Sequence, residues 1–193
     1  MSTKPLILAL DVSGTPNRWI TREDAAFYYA KDLVAWTLGG DDHPMLGGTS
    51  RMTGLQSSLP LNTIIAVRGQ GNSTKHLYRT PPLTNQALFR RDHHVCAYCG
   101  NEFPVSKLTR DHVDPRGRGG KDVWTNVVTA CGRCNRVKDC NTPEQAGMQL
   151  LYVPYAPNRS EWLILANRRI LADQMDYLIK MVPEHSRVHK LLN

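Results

Sequence analysis

Four cysteines in the middle of this 193-residue chain form two Cys-x-x-Cys pairs. The first pair is Cys96 and Cys99, and the second, after 31 intervening residues, is Cys131 and Cys134. Each pair can hold two thiolates on one tight turn, so together they can close a tetrahedral four-thiolate zinc site. Such a site has no open coordination position, and the ion would therefore stabilise the fold without activating water.

The residues between the two pairs include the types that phosphodiester hydrolysis needs, namely a base, a hard metal ligand and basic groups. His112 is the candidate base, because an imidazole can accept a proton near neutral pH. Asp111 offers a hard oxygen suited to Mg²⁺, and Asn135 could add an amide oxygen. Asn126 would orient His112. The segment therefore predicts a metal-assisted phosphodiesterase site.

Asp111 and His112 are neighbours in a predicted strand, where successive side chains point to opposite faces. They can flank one phosphate only if the strand ends or twists at this point. Asp114 and Pro115, followed by the glycine-rich residues 117–120, predict that it ends there.

Taken together, residues 108–120, 124–128 and 135–138 resemble the HNH endonuclease family. The resemblance covers about residues 84–148 and involves many positions in the right order. It implies a ββα-metal finger, in which two strands, a loop and a helix surround one divalent ion. It also implies hydrolysis of DNA that leaves 5′-phosphate and 3′-hydroxyl ends.

The resemblance implies a role for each polar residue of the motif. His112 would be the general base, and Asp111 and Asn135 would hold one catalytic ion, Mg²⁺ or Mn²⁺. Asn126 would position His112. The family often has histidine where this chain has Asn135, a variant that leaves metal binding possible.

The charge of the chain favours a polyanionic partner. Lys and Arg number 24 and Asp and Glu number 17, which gives a net charge of +7 and a pI near 9.3. Cationic side chains that bind nucleic acid release counterions from it, so we expect DNA as the partner. The candidate phosphate contacts are Arg116, Arg118, Lys121, Arg136 and Lys138.

The expected fold class is α+β, with three regions: residues 1–82, the nuclease domain at 83–148 and a C-terminal helical tail at 149–193. In the first region, residues 6–10 and 63–68 read as strands, and Thr21 begins a helix that continues to Gly39. Residues 41–58 are predicted to be a loop. This strand-helix-strand region would be a packing platform, or alternatively a DNA-contacting module using Arg18, Trp19, Arg68 and Lys75.

In the tail, apolar residues recur on one face of a long helix predicted over residues 160–182. They are Ile164, Leu171, Met175, Leu178 and Val182. This face would pack on the protein's own core or form a homodimer contact.

The sequence has no apolar run long enough for a membrane span, and its first residues do not read as a signal peptide, so we expect a cytoplasmic protein with no membrane partner. Two other functions remain open at this stage. A non-catalytic, zinc-dependent nucleic-acid-binding module would explain the cysteines and the charge, although it gives the polar motif no shared task. A nuclease acting on RNA would use the same chemistry.

Overall fold

The computed structural model describes residues 4–40, 44–69, 80–184 and 186–191, with the side chains of residues 190 and 191 excepted. The chain divides into two compact units. The first comprises Met1–Arg79 and Arg159–Val182, and the second comprises Thr80–Asn158 and Pro183–Asn193. The predicted tail is thus shared between the two units. The predicted α+β class is confirmed.

The first unit contains a four-stranded sheet in the order β2-β1-β6-β3. Its strands are β1 (Ile7–Leu10), β2 (Pro16–Ile20), β3 (Val34–Leu38) and β6 (Ile64–Val67). The central pair, β1 and β6, is parallel, and each edge strand is antiparallel to its neighbour. Every residue of β1 and β6 is buried, which explains why both strands are continuous apolar runs in the sequence.

Helix α1 (Arg22–Ala30) begins where the sequence predicted, with a capping box between Thr21 and Asp24. It ends earlier than predicted, because the chain turns through a left-handed conformation at Asp32 (φ 53°). The next residues form β3 and pair with β6. The apolar pattern of 33–38 therefore serves a sheet edge, and tertiary pairing overrides the helical periodicity.

The predicted loop at residues 41–58 contains a β-hairpin instead. Its strands are β4 (Met45–Thr49) and β5 (Gln56–Leu59), which pair with each other and not with the larger sheet. The tip is closed by backbone hydrogen bonds between Ser50 and Leu55 and between Gly54 and Ser50. Most of the hairpin is exposed, so no pattern of buried apolar residues marks its strands in the sequence.

Three of the side chains considered for DNA contact in this unit have partners within it. Arg18 donates to the hydroxyl of Tyr28 at 2.7 Å, Trp19 donates to the carbonyl of Leu163, and Arg68 donates to the carbonyl of Asp32. Lys75 lies outside the described residues. These contacts favour the packing role over the DNA-contacting alternative.

The single long helix predicted over residues 160–182 is two helices, α4 (Arg159–Ala166) and α5 (Ala172–Ile179). The side chain of Asn167 accepts a hydrogen bond from the backbone of Arg169, and Leu171 is extended, which breaks the helix. Leu163 and Leu178 are fully buried within the first unit. The face predicted for a dimer thus serves the chain's own core, and the predicted homodimer has no support. None of the helices in the described part of the chain is both long and apolar enough to span a membrane.

The second unit is built around an antiparallel pair, β7 (Leu108–His112) and β8 (Val127–Cys131), followed at once by α3 (Gly132–Lys138). Helix α2 (Asn85–Arg91), capped by Thr84, precedes them. The order of two strands and a helix is the one that the sequence predicted. Short 3₁₀ turns lie at Val105–Lys107, Arg116–Arg118, Trp124–Asn126 and Arg187–Leu191.

Arg91 at the end of α2 holds this unit together from inside. Its guanidinium is fully buried, pairs with Asp92 and donates to the carbonyls of Trp124, Val127 and Tyr155. A buried charge is tolerated only when its donors are satisfied, and these contacts satisfy them. Arg91 thereby fixes α2 against the start of β8.

Candidate active site and metal centre

The sulfur atoms of Cys96, Cys99, Cys131 and Cys134 all lie within 4.8 Å of one another. Cys96 and Cys99 belong to the turn after α2, whereas Cys131 ends β8 and Cys134 lies in the first turn of α3. This donor set fits a tetrahedral metal ion such as zinc. An ion bound there would join the turn to the start of α3. Cys140 is exposed and stands apart from the cluster.

The thiols of this cluster differ in acidity. Burial raises the pKa of Cys99 and of Cys134. Burial acts in the same direction on Cys96, but hydrogen bonds from the backbone, led by that of Cys131, outweigh it and lower the pKa of this thiol. Because a metal binds thiolates, metal binding by the cluster should release protons. The fraction of protein with bound metal should therefore fall at acidic pH.

Strand β7 presents two different faces. Thr109 and Asp111 point toward α3, since the amide of Asn135 donates to the Thr109 hydroxyl at 3.0 Å and Lys138 contacts Asp111. Arg110 and His112 point to the other face of the strand. The strand is paired as far as His112, where it ends as predicted. Asp111 and His112 are therefore adjacent in sequence, but their side chains lie on opposite faces.

Asp111 is buried and both of its carboxylate oxygens have partners. Oδ2 accepts from the Tyr98 hydroxyl at 2.5 Å, and Oδ1 accepts from Nζ of Lys138 at 3.2 Å. Lys138 also donates to the backbone carbonyl of His112 at 2.7 Å. Burial, followed by the hydrogen bond to Asp111, raises the pKa of Tyr98, so the phenol stays protonated and donates.

His112 lies on the opposite face, with its side chain 18% exposed. Its Nε2 is 2.8 Å from Oδ1 of Asp122. Arg110, two residues before His112 on the same face, donates to both oxygens of Asp122 at 2.9 and 2.8 Å. The guanidinium of Arg110, and to a lesser extent His112, lowers the pKa of Asp122. The carboxylate is therefore ionised whenever the site is near neutral pH.

Asn126 lies in the 3₁₀ turn before β8 and is buried. Its side chain accepts from the backbone N–H of Asp114 and donates to the carbonyls of Asp114 and Lys121. The carbonyl of Asn126 accepts from the backbone of Val113. Asn126 thus fixes the chain that follows His112, and the structure shows no direct hydrogen bond between the two side chains.

Comparison with known families supports the resemblance. Residues 96–151 match the profile of a family described as HNH endonuclease. This segment belongs to the HNH endonuclease family. We refer to residues 96–151 as the HNH domain.

Among solved structures, the type II-C Cas9 enzyme from Actinomyces naeslundii is similar to this chain at 18% identity with a TM-score of 0.30. The similarity covers 56% of this chain and 12% of the Cas9 chain, so this protein spans a small part of that enzyme's length. A likeness of this size carries no conclusion about function. A search of curated proteins found no match.

The catalytic ion predicted for the HNH domain does not fit Asp111 and Asn135 as they are arranged. Both oxygens of Asp111 are engaged, one of them by the ammonium of Lys138, and the carboxylate is 5% exposed. A divalent ion and an ammonium cannot share the same carboxylate oxygen at contact distance without strong repulsion. Asp111 would accept an ion only after Lys138 had left it.

The predicted phosphate contacts fall into two groups. Arg116, Arg118, Lys121 and Arg136 are exposed, and Arg118 also donates to Gln145 and Asn141. Lys138 differs from them because its side chain is 1% exposed. Its position against Asp111 and the His112 carbonyl corrects the prediction that it contacts DNA.

Sequence reasoning did not identify Asp122, Arg110 or Tyr98. Arg110 could have been found from the alternation of β7, which places it on the face of His112. Asp122 lies in the loop between β7 and β8, where no hydrophobic periodicity indicates which way a side chain points. Tyr98 could have been noted only as an aromatic residue inside the first cysteine pair.

Proposed function

We propose that the protein is an endonuclease that hydrolyses phosphodiester bonds of DNA, with His112 as the general base. The observation that supports this most directly is the environment of His112 at the end of β7 in the HNH domain. One ring nitrogen is held by Asp122 at 2.8 Å, and the other makes no hydrogen bond to the described residues. A neutral imidazole held in this way can accept a proton from water.

The exposed basic residues would hold the DNA backbone. Arg116, Arg118 and Lys121 belong to the loop that follows His112, and Arg136 belongs to α3. One guanidinium group can donate two parallel hydrogen bonds to the oxygens of one phosphate. Its positive charge would also offset the negative charge that develops on the phosphate during hydrolysis. The net charge of +7 on the whole chain favours binding to DNA in the same way.

We propose Zn²⁺ as the ion of the four-cysteine cluster, because four thiolates in a closed tetrahedral arrangement are typical of structural zinc. Its role would be to fix α3 and the first cysteine pair around β7 and β8. A catalytic Mg²⁺ or Mn²⁺ at Asp111 and Asn135 stays a prediction, since Lys138 would have to move first.

The test is cleavage of supercoiled plasmid by the purified full-length protein, beside His112→Ala and with Mg²⁺, Mn²⁺ or a chelator. His189→Ala, a substitution of the same kind outside the HNH domain, is the control. We expect cleavage by the wild type and the control, and loss of cleavage by His112→Ala with its zinc content unchanged.

Three outcomes would contradict the proposal. Binding of DNA without cleavage under any of these conditions would favour the non-catalytic zinc module. Cleavage of structured or single-stranded RNA together with intact plasmid would make RNA the substrate. Equal cleavage by the wild type and His112→Ala would remove His112 from the mechanism.

A further inference from the structure

We propose that Asp122 is a positioning residue that sets the tautomer of His112, so that Nδ1 is the atom that takes the proton from water. This inference rests on the proposed nuclease function and extends it to a residue outside the predicted motif. It starts from the contact of 2.8 Å between Nε2 of His112 and Oδ1 of Asp122.

The tautomer follows from the chemistry of the two groups. An ionised carboxylate only accepts hydrogen bonds, so the neutral imidazole must carry its proton on Nε2 to make this contact. The lone pair of Nδ1 is then available. The alternative tautomer would place two acceptors 2.8 Å apart and would lose the contact.

Arg110 keeps Asp122 in the state and position that this role needs. It binds both carboxylate oxygens and is itself held by the side chain of Asn85 at 2.9 Å, at the start of α2. Asp122 protonates only at a pH below the ordinary carboxyl range, because its pKa is lowered. Its hold on His112 should therefore persist through mildly acidic pH.

The loop that carries Asp122 is held just before this residue by two contacts. Asn126 donates to the carbonyl of Lys121, the residue before Asp122. Gly120 passes so close to Asp114 that an added Cβ would lie 1.8 Å from the Asp114 carbonyl oxygen. These contacts explain how Asn126 can influence His112 without touching it.

A purely structural role for Asp122 is the competing explanation. Its side chain is 44% exposed, and ion pairs at such exposure contribute little to stability. The contact therefore has its main consequence at the imidazole, which is less exposed than the carboxylate.

The experiment compares Asp122→Ala and Asp122→Glu with the wild-type full-length, zinc-loaded protein. Glu102→Gln, which removes an exposed acidic charge elsewhere in the HNH domain, is the control. We expect Asp122→Ala to lower kcat by about 10- to 100-fold, by analogy with the loss of partners that orient metal-bound histidines. Because a negative charge beside the DNA is removed, KM should stay equal or fall. Asp122→Glu should recover part of kcat, and Glu102→Gln should leave it unchanged.

The ring ¹⁵N chemical shifts of His112 give a second readout that does not depend on activity. The wild type should show the proton on Nε2, and Asp122→Ala should show a mixture of tautomers. Wild-type kcat in Asp122→Ala, or a wild-type imidazole protonated on Nδ1, would overturn the inference. An inactive wild type would instead overturn the proposed function, and the shifts would then decide on Asp122 alone.

Discussion

Replacement of Lys138 by methionine should destabilise the HNH domain by about 3–5 kcal/mol, the usual cost of removing one partner from a buried ion pair. Lys138 and Asp111 are 1% and 5% exposed, so water cannot replace the lost contact. Methionine keeps most of the aliphatic stem, so little of this cost comes from a cavity. The loss comes from the Asp111 carboxylate, which keeps only the donor from Tyr98.

The assay must report on the second unit alone, because the chain has two units that need not unfold together. Urea unfolding of protein with Co²⁺ in the four-cysteine cluster meets this need, since the visible absorption of the tetrahedral Co²⁺ site disappears when this unit unfolds. With a slope of about 1.5 kcal/mol per M, the midpoint should fall by about 2–3 M.

The double variant Lys138→Met with Asp111→Asn distinguishes a lost ion pair from lost packing. It leaves no unpaired buried charge, so it should recover much of the stability that Lys138→Met loses. A single variant that loses less than about 1 kcal/mol would refute the reasoning, as would a double variant at least as unstable as the sum of its parts.

Two further predictions concern the metal centre and the loop after His112. Cys99→Ser should lower the metal bound by the cluster below one ion per chain and destabilise the HNH domain, whereas Cys140→Ser should leave both unchanged, as metal analysis and thermal unfolding will show. Gly120→Ala should destabilise the second unit by about 1–3 kcal/mol and slow plasmid cleavage, because the backbone must shift to remove the clash with Asp114. Gly117→Ala, where an added Cβ meets nothing within 4 Å, is its control, and equal behaviour of the two glycine variants would contradict the prediction.

The sequence predicted the four-cysteine cluster and the order of β7, β8 and α3, because both depend on spacing within short segments. Two pairs of the Cys-x-x-Cys type indicate one site whatever the rest of the chain does. The breakers at Asp114 and Pro115 likewise marked the end of β7 correctly, since local turn chemistry decided it.

Elements whose conformation depends on distant partners were predicted less well. The apolar pattern after α1 predicted that the helix continues. Residues 34–38 instead form an edge strand that pairs with β6, about thirty residues further along the chain. The periodicity of residues 160–182 continues across a break, because α4 and α5 both turn apolar faces toward the interior of the first unit. A hydrophobic pattern records burial and does not record the turn between two helices.

The dependence on distant partners also explains why the sequence did not predict the contacts of the site residues. Asp111 and Lys138 are 27 residues apart in sequence, and their pairing follows from the packing of α3 on one face of β7. From its sequence position, Lys138 was expected to be an exposed lysine that binds phosphate. In the structure it is buried and is the counter-ion of Asp111. A charged residue's role thus depended on which face of α3 it occupies, which a helix of seven residues does not reveal from sequence.

The two faces of β7 also constrain how the HNH domain can act on one phosphate. His112 lies on the face of Arg110 and Asp122, whereas Asp111 lies on the face of α3. Lys138 touches both Asp111 and the backbone carbonyl of His112, so a cation already sits at the point where the two faces meet. The surroundings of His112 depend on the strand that carries it and also on the following loop, which Asn126 holds through Asp114 and Lys121.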